Sequence, residues 1–203
     1  LTAPATGKGL LADLFLGRLE NPQWLNARVD AKMYLYLVGA TMLGLNIYSF
    51  AMHHIIAYPD DVSNGVLLYA GLFTFFLSEY LFFERVHLYT YDFFAERVGF
   101  KLGWGCLLFY PYFYSVGLWS VADHPNPHAA SALQVLSVVL FFSGWCFARG
   151  ANMQKYAFKR DPSASFLGVM KPVALRDGDR QLLASGFWGI ARHVNYLGEL
   201  LMA

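Results

Sequence analysis

The sequence predicts an all-α fold, a polytopic transmembrane helix bundle, on three observations. The composition is 57% hydrophobic and 18% aromatic with only 14% charged residues, where a soluble domain carries about 25% charged residues. Four stretches in series, at about 34–57, 65–83, 100–121 and 130–148, approach the roughly 20 apolar residues that a helix needs to cross about 30 Å of hydrocarbon. The basic residues, finally, fall on alternate connections, the pattern expected when cations are retained on one side of a membrane.

The first stretch, 34–57, is interrupted by Asn46, His53 and His54, and the second, 65–83, carries Glu79 near its end. The third contains Pro111, the fourth ends at Ala148, and a fifth apolar helix is expected over 182–203. Residues 1–203 are thus expected to form a single membrane domain. Lys8, Arg18, Arg28 and Lys32 precede the first stretch; Arg85, Arg97 and Lys101 lie between the second and third; seven more cations lie in 149–181. The connections 58–64 and 123–129 hold none, although Asp60, Asp61 and Asp123 show that they are not devoid of charge. The basic loops are therefore predicted to face the cytosol, with the protein integral to the endoplasmic reticulum or to a bacterial inner membrane.

A net charge of +1 gives no case for a nucleic-acid or acidic partner, which leaves the lipid bilayer as the expected surroundings. Cys106 and Cys146 sit inside apolar runs without metal-ligand spacing and are read as packing residues. The His53-His54 pair is read as interfacial, since a metal site needs more ligands than the sequence offers, and no metal is expected. Leu1 to Gly9 has no apolar signal core. The absent initiator Met and the stop at Ala203 within an apolar run lead us to expect a fragment of a larger domain.

Two stretches carry chemistry. The first runs from Leu182 to Glu199, with Ser185-Gly186 as a helix entry followed by Phe187-Trp188-Gly189-Ile190-Ala191-Arg192-His193-Val194-Asn195-Tyr196. If helical throughout, it places Arg192, Asn195, Tyr196 and Glu199 on one face at i, i+3, i+4 and i+7. Such a face is costly against lipid, so it should line a polar cavity or form a structural network with neighbouring helices. The second runs from Arg149 to Pro162. If the fourth stretch continues as helix, Arg149, Asn152, Lys155, Tyr156 and Lys159 form a stripe able to hold phosphates; the alternative is a belt of interfacial cations.

The pattern Ala-Asn-x-Gln-Lys-x-x-Phe at Ala151 to Phe158, then Leu-Leu-x-Ser-Gly-Phe-Trp-Gly-x-x-Arg-His-x-Asn-Tyr-x-Gly-Glu at 182–199, resembles the sterol C=C reductase family. That family includes the C14, C7 and C24(28) sterol reductases and the membrane domain of the lamin B receptor. Asp13-Leu14-Phe15-Leu16-Gly17-Arg18 with Asn21-Pro22 resembles a further loop of the family. So does the run from Tyr91-Asp92 through Gly99-Phe100 and Trp104-Gly105 to Pro111-Tyr112-Phe113-Tyr114. The correspondence is collinear over nearly the whole chain.

The resemblance implies NADPH as cofactor and a sterol as substrate. It assigns Asn152, Gln154, Lys155 and Lys159 to the phosphate and ribose groups, and Trp188, Arg192, His193, Asn195 and Tyr196 to the lining of the cofactor pocket. Glu199 stands where the family usually has Asp, Cys106 replaces an Asp, and Phe76 falls where many members have Tyr, with Tyr80 one turn later. The family's Trp- and Tyr-rich C-terminal segment does not occur in these residues. The implied reaction is protonation of a steroid alkene followed by hydride delivery, at C7 or C14, with Phe187 and Ala191 closer to C7-type members. The proton must come from an acid; the candidates are Glu79, Tyr80, Glu84, Asp92 and Glu199. No Gly-x-Gly-x-x-Gly follows a strand, so cofactor binding would not use a Rossmann site. The alternatives are an isoprenylcysteine-type membrane methyltransferase using S-adenosylmethionine, which shares an Arg-His-x-x-Tyr-x-Gly helix but has Pro where Val194 stands, and a non-catalytic scaffold of the same fold.

Overall fold

A computed structural model of the chain describes residues 7–90, 93, 95–126, 129–178 and 180–203. It divides into two compact units, Leu1–Glu84 with Tyr91–Ala130, and Arg85–Thr90 with Ser131–Ala203. Helices dominate both, and among the described residues the only sheets are two two-stranded hairpins. Three helices, Ala31–Ala57, Asn64–Phe82 and Ser131–Arg160, are long and apolar enough to cross a membrane.

The first unit opens with a short helix, α1 (Leu10–Leu16), whose Asp13 is buried and accepts from Arg18 Nε at 2.9 Å. Gly17, at φ 87°, lies against the backbone of Val98 and Gly99, where an added Cβ would stand 2.7 Å from Gly99 N. The hairpin of β1 (Gln23–Trp24) and β2 (Val29–Asp30) turns through three left-handed residues, Leu25, Asn26 and Ala27. It delivers Asp30 to the start of α2 (Ala31–Ala57), where the carboxylate accepts from Met33 N at 3.0 Å. This N-cap satisfies a donor that the first helical turn leaves without a partner.

Lys32 enters α2 fully buried. Its ammonium donates to Phe93 O at 2.7 Å and Glu96 O at 2.5 Å, so carbonyls take up a charge that lipid would reject. At the other end of α2, His54 is completely buried and both ring nitrogens are engaged. Nδ1 lies 3.2 Å from Ala122 O, and Nε2 accepts from Ser63 N at 2.9 Å. A nitrogen that accepts carries no proton, so the ring is the neutral tautomer protonated on Nδ1. The same Ser63 caps α3 (Asn64–Phe82). His53, by contrast, is exposed and meets Asp123 at 2.5 Å.

After α4 (Glu84–His87) the chain departs from the sequence expectation. The 100–121 stretch, expected as one helix, is four pieces: α5 (Phe100–Trp104), a π-helical turn (Gly105–Phe109), α6 (Tyr110–Phe113) and α7 (Val116–Val121). Pro111 accounts for the break, because it has no N–H to donate and its ring crowds the carbonyl one turn earlier. The Pro111 carbonyl is itself satisfied by Asn46 Nδ2 at 3.2 Å and Ser115 Oγ at 2.9 Å. Gly39 of α2 lies directly on the Cys106 carbonyl of the π-helical turn, an approach that any Cβ would block. Phe73, Phe76 and Tyr80 of α3 make ring contacts with Tyr36, Tyr110 and Tyr114, and Tyr69 stacks on Phe73 and donates to Tyr114 O at 2.7 Å.

The second unit is built on α8 (Ser131–Arg160), 30 residues long. The helix continues 12 residues beyond the apolar stretch, the condition under which its cationic stripe was expected. After a turn closed between Phe166 and Met170 come β3 (Ala174–Asp177) and β4 (Arg180–Leu183), which pair antiparallel with Leu175 opposite Leu182. The expected helix over 182–203 is therefore divided. Residues 180–183 are strand, and only α9 (Phe187–Ile190) and α10 (Val194–Met202) are helical. α10 runs back along α8, and Gly144 and Gly198 bring the two backbones together. A Cβ on Gly198 would stand 2.5 Å from Gly144 O, and one on Gly144 would stand 2.9 Å from Leu201 Cβ.

Candidate functional site

The polar end of α8 presents two different faces. Asn152, Lys155 and Tyr156 are half-buried and Lys159 is exposed, along the expected stripe, while Arg149 at its base is buried. Tyr156 packs edge-on against Tyr89 and lies under the Arg160 guanidinium, which also donates to its hydroxyl at 3.1 Å. Gln154 lies off this stripe and is 2% exposed.

The second face receives the loop between β4 and α9. Gly186 adopts φ 60°, and its α-carbon lies so close to the Gln154 amide that a Cβ there would overlap it. Only glycine meets both conditions without strain. Gln154 Nε2 donates to Ser185 O at 3.1 Å, and its Oε1 accepts from Phe187 N at 3.0 Å. Ser185 Oγ accepts from Val173 N and donates to Lys171 O, both at 2.9 Å, which ties the loop to the approach of β3. Phe187 lies on Gly150, and Trp188 Nε1 donates to Ala151 O at 2.8 Å. The indole thereby comes under Lys155, whose Nζ is 5.8 Å from the ring centroid, a cation–π distance.

Arg192 and His193 occupy the turn between α9 and α10. The expected shared helix face is corrected accordingly: Arg192 precedes the helix, and only Asn195, Tyr196 and Glu199 stand on α10. The His193 and Tyr196 rings stack at 5.2 Å with an interplanar angle of 5°. Asn195 Oδ1 is buried with no hydrogen-bond partner among the described residues. Of the acid candidates, Glu79 is buried in α3, Tyr80 beside it packs among Tyr36, Phe76 and Tyr110, and Glu84 is exposed. Glu199 is half-buried on α10, and Asp92 lies outside the described residues. Lys155, Lys159, Trp188, Arg192, His193, Asn195 and Tyr196 thus all belong to the second unit, and Glu79, Tyr80 and Glu84 to the first. The bracing roles of Ser185, Gly150 and Gly186 were not foreseen. Gly186 was the available signal, since a glycine directly before the bulky pair Phe187-Trp188 marks a close approach.

Residues 3–203 match the model of the ergosterol biosynthesis ERG4/ERG24 family. The chain belongs to that family. Its sequence is 32% identical over 200 residues to the Delta(14)-sterol reductase of Arabidopsis thaliana, covering 98% of this chain and 52% of the relative. A Delta(14)-sterol reductase of the bacterium Methylotuvimicrobium alcaliphilum is 31% identical over 94% of this chain and 44% of its own length. The Delta(14)-sterol reductase TM7SF2 of Mus musculus is 31% identical over 99% of this chain and 47% of its own. The chain therefore spans about half the length of these ERG4/ERG24 relatives. Family membership and the apolar helices together make it part of an integral membrane protein.

Proposed function

We propose that the protein containing this chain reduces the C14 double bond of a sterol intermediate in sterol biosynthesis, with NADPH as the hydride source. The carrying observation is the pairing of Lys155 with the Trp188 indole, beside Lys159 and near the end of a motif that also holds the unpartnered Asn195 Oδ1. C14 is preferred over the C7 position to which Phe187 and Ala191 leaned, because the three relatives named above are all Delta(14)-sterol reductases.

The residues fit a phosphorylated dinucleotide. Ammonium groups one turn apart on a helix suit phosphate oxygens, an indole face suits a planar ring, and a buried amide oxygen without a partner calls for a donor. Lys155 and Lys159 would hold phosphates and Asn152 the ribose region. Trp188, Arg192, His193, Asn195 and Tyr196 would line the remainder. NADPH, when bound, supplies a hydride for the sterol carbon left electron-deficient by protonation. The chain must supply the acid from among Glu79, Tyr80, Glu84, Asp92 and Glu199. Of these Glu79 and Tyr80 lie among packed side chains, where bulk water does not compete for the transfer. In the membrane of the endoplasmic reticulum, or the inner membrane of a bacterial host, the cationic end of α8 faces the cytosol and so meets the cytosolic nucleotide pool.

The test uses the full-length protein in detergent and in yeast strains lacking individual sterol reductases. Rescue of the strain lacking the C14 enzyme, NADPH binding, and a roughly tenfold loss of that binding in K159M are the expected results, with affinity falling as salt is raised. Binding of S-adenosylmethionine in place of NADPH makes the protein a methyltransferase. Binding of NADPH without reduction of any sterol makes it a scaffold.

A further inference from the structure

We infer that Gln154 is a positioning residue for the nucleotide site rather than one of its contacts. It holds the Ser185–Trp188 loop so that the Trp188 indole lies beneath Lys155. The inference rests on the NADPH reading above.

The Gln154 side chain is 2% exposed, and both ends of its amide are committed to backbone on either side of Gly186. An amide that donates to Ser185 O and accepts from Phe187 N stands in for a strand neighbour, because the two groups it satisfies flank a residue whose left-handed conformation removes them from any regular pairing. Replacing both ends by apolar atoms leaves a part-buried carbonyl and a part-buried N–H without partners, which is costlier than losing the bonds alone.

The consequences run one way along the loop. Phe187 follows directly from the clamped N–H and seats on Gly150, and Trp188 then finds Ala151 O one residue further along α8. Gln154 and Lys155 are adjacent on the helix, so they point to different faces. The first fixes the loop and the second meets the aromatic ring that the loop presents. Ser185 Oγ braces the same loop from the opposite side, through Lys171 O and Val173 N. The chain thus divides the labour between consecutive residues of one motif: Asn152, Lys155 and Lys159 face outward, and Gln154 inward.

The test is Gln154→Leu in the full-length protein, close in volume and unable to hydrogen-bond. Ser185→Ala serves as a second variant that removes only the hydroxyl brace. One readout is nucleotide-free. The near-UV circular dichroism contributed by Trp188, obtained by subtracting the spectrum of Trp188→Phe from that of wild type, isolates this indole from every other tryptophan of the protein. In Q154L this contribution should collapse, KM for NADPH should rise about tenfold, and KM for the sterol should stay unchanged. S185A should move the same two quantities in the same direction, and the double variant should be less than additive because both act on one loop. A Q154L protein that keeps the Trp188 signature overturns the inference, whether or not NADPH binding weakens, since a weakening would then be the loss of a direct contact. If the signature collapses while even the wild type ignores NADPH, the clamp stands and the cofactor reading falls.

Discussion

At the entrance to α2 a single carboxylate gathers several donors. Asn21 Nδ2, at 2.5 Å, and Gln23 Nε2, at 2.9 Å, donate to one oxygen of Asp30, while Met33 N donates to the other. Burial works against the charge, but these hydrogen bonds, with one from the Lys32 N–H, outweigh it and hold the carboxyl below its ordinary value of 3.8. A depressed acid stabilises the folded state fully above its unfolded pKa and loses that contribution as pH falls through the folded one. The Asp30 contribution should therefore be intact at neutral pH and vanish only below about pH 3.8. Asp30→Ala should cost about 1 kcal/mol at pH 7, and the gap between variant and wild type should close in thermal unfolding taken at progressively lower pH. The sequence displays such residues unevenly. Lys155 and Lys159 were legible as a cationic pair because charge and spacing are both visible. Gln154 was read with them because it sits in the same motif, and nothing in a one-dimensional pattern distinguishes an amide turned outward from one turned into a loop 31 residues away.

Among the elements, the pairing of α10 with α8 depends on what is missing at two positions. Gly198 faces Ala148 N and Gly144 O with no room for a side chain. Gly198→Leu should force the helices apart and lower the thermal stability of the detergent-solubilised protein by about 3 kcal/mol or more, at the upper end of overpacking costs. Gly71, where nothing lies within 4 Å, should accept alanine with no comparable loss. The long helices were readable because about 20 mostly apolar residues is the length that a crossing helix needs. The 100–121 and 182–203 stretches were also read as helices, yet both break. Pro111 was a visible warning for the first. For the second, strand β4 occupies Arg180–Leu183, whose Leu-Leu pair suits strand and helix equally, and no proline marks the interruption at Ala191, Arg192 and His193. Periodicity cannot resolve apolar runs this short.

For the molecule as a whole, the reading of an apolar helical assembly followed from bulk composition, and the family from two collinear motifs. On the proposed reading, the cofactor residues fall in the second unit, whereas the acid candidates Glu79, Tyr80 and Glu84 fall in the first and Glu199 in the second, a division that no motif announces. One dimension of α8 bears on how the two chemistries are coordinated. At 1.5 Å per residue its 30 residues extend about 45 Å, against about 30 Å of hydrocarbon. Along this continuous helix Lys155 stands about 9 Å and Lys159 about 15 Å beyond Arg149. On the proposed reading, the helix would be a mast that fixes the altitude of the nucleotide, while a sterol would float at a depth set by the surrounding lipid. Hydrophobic mismatch would then act directly on the encounter of the two substrates. In vesicles of short-, medium- and long-chain phosphatidylcholine, the full-length protein should keep one NADPH affinity throughout, while sterol turnover passes through a maximum at intermediate thickness.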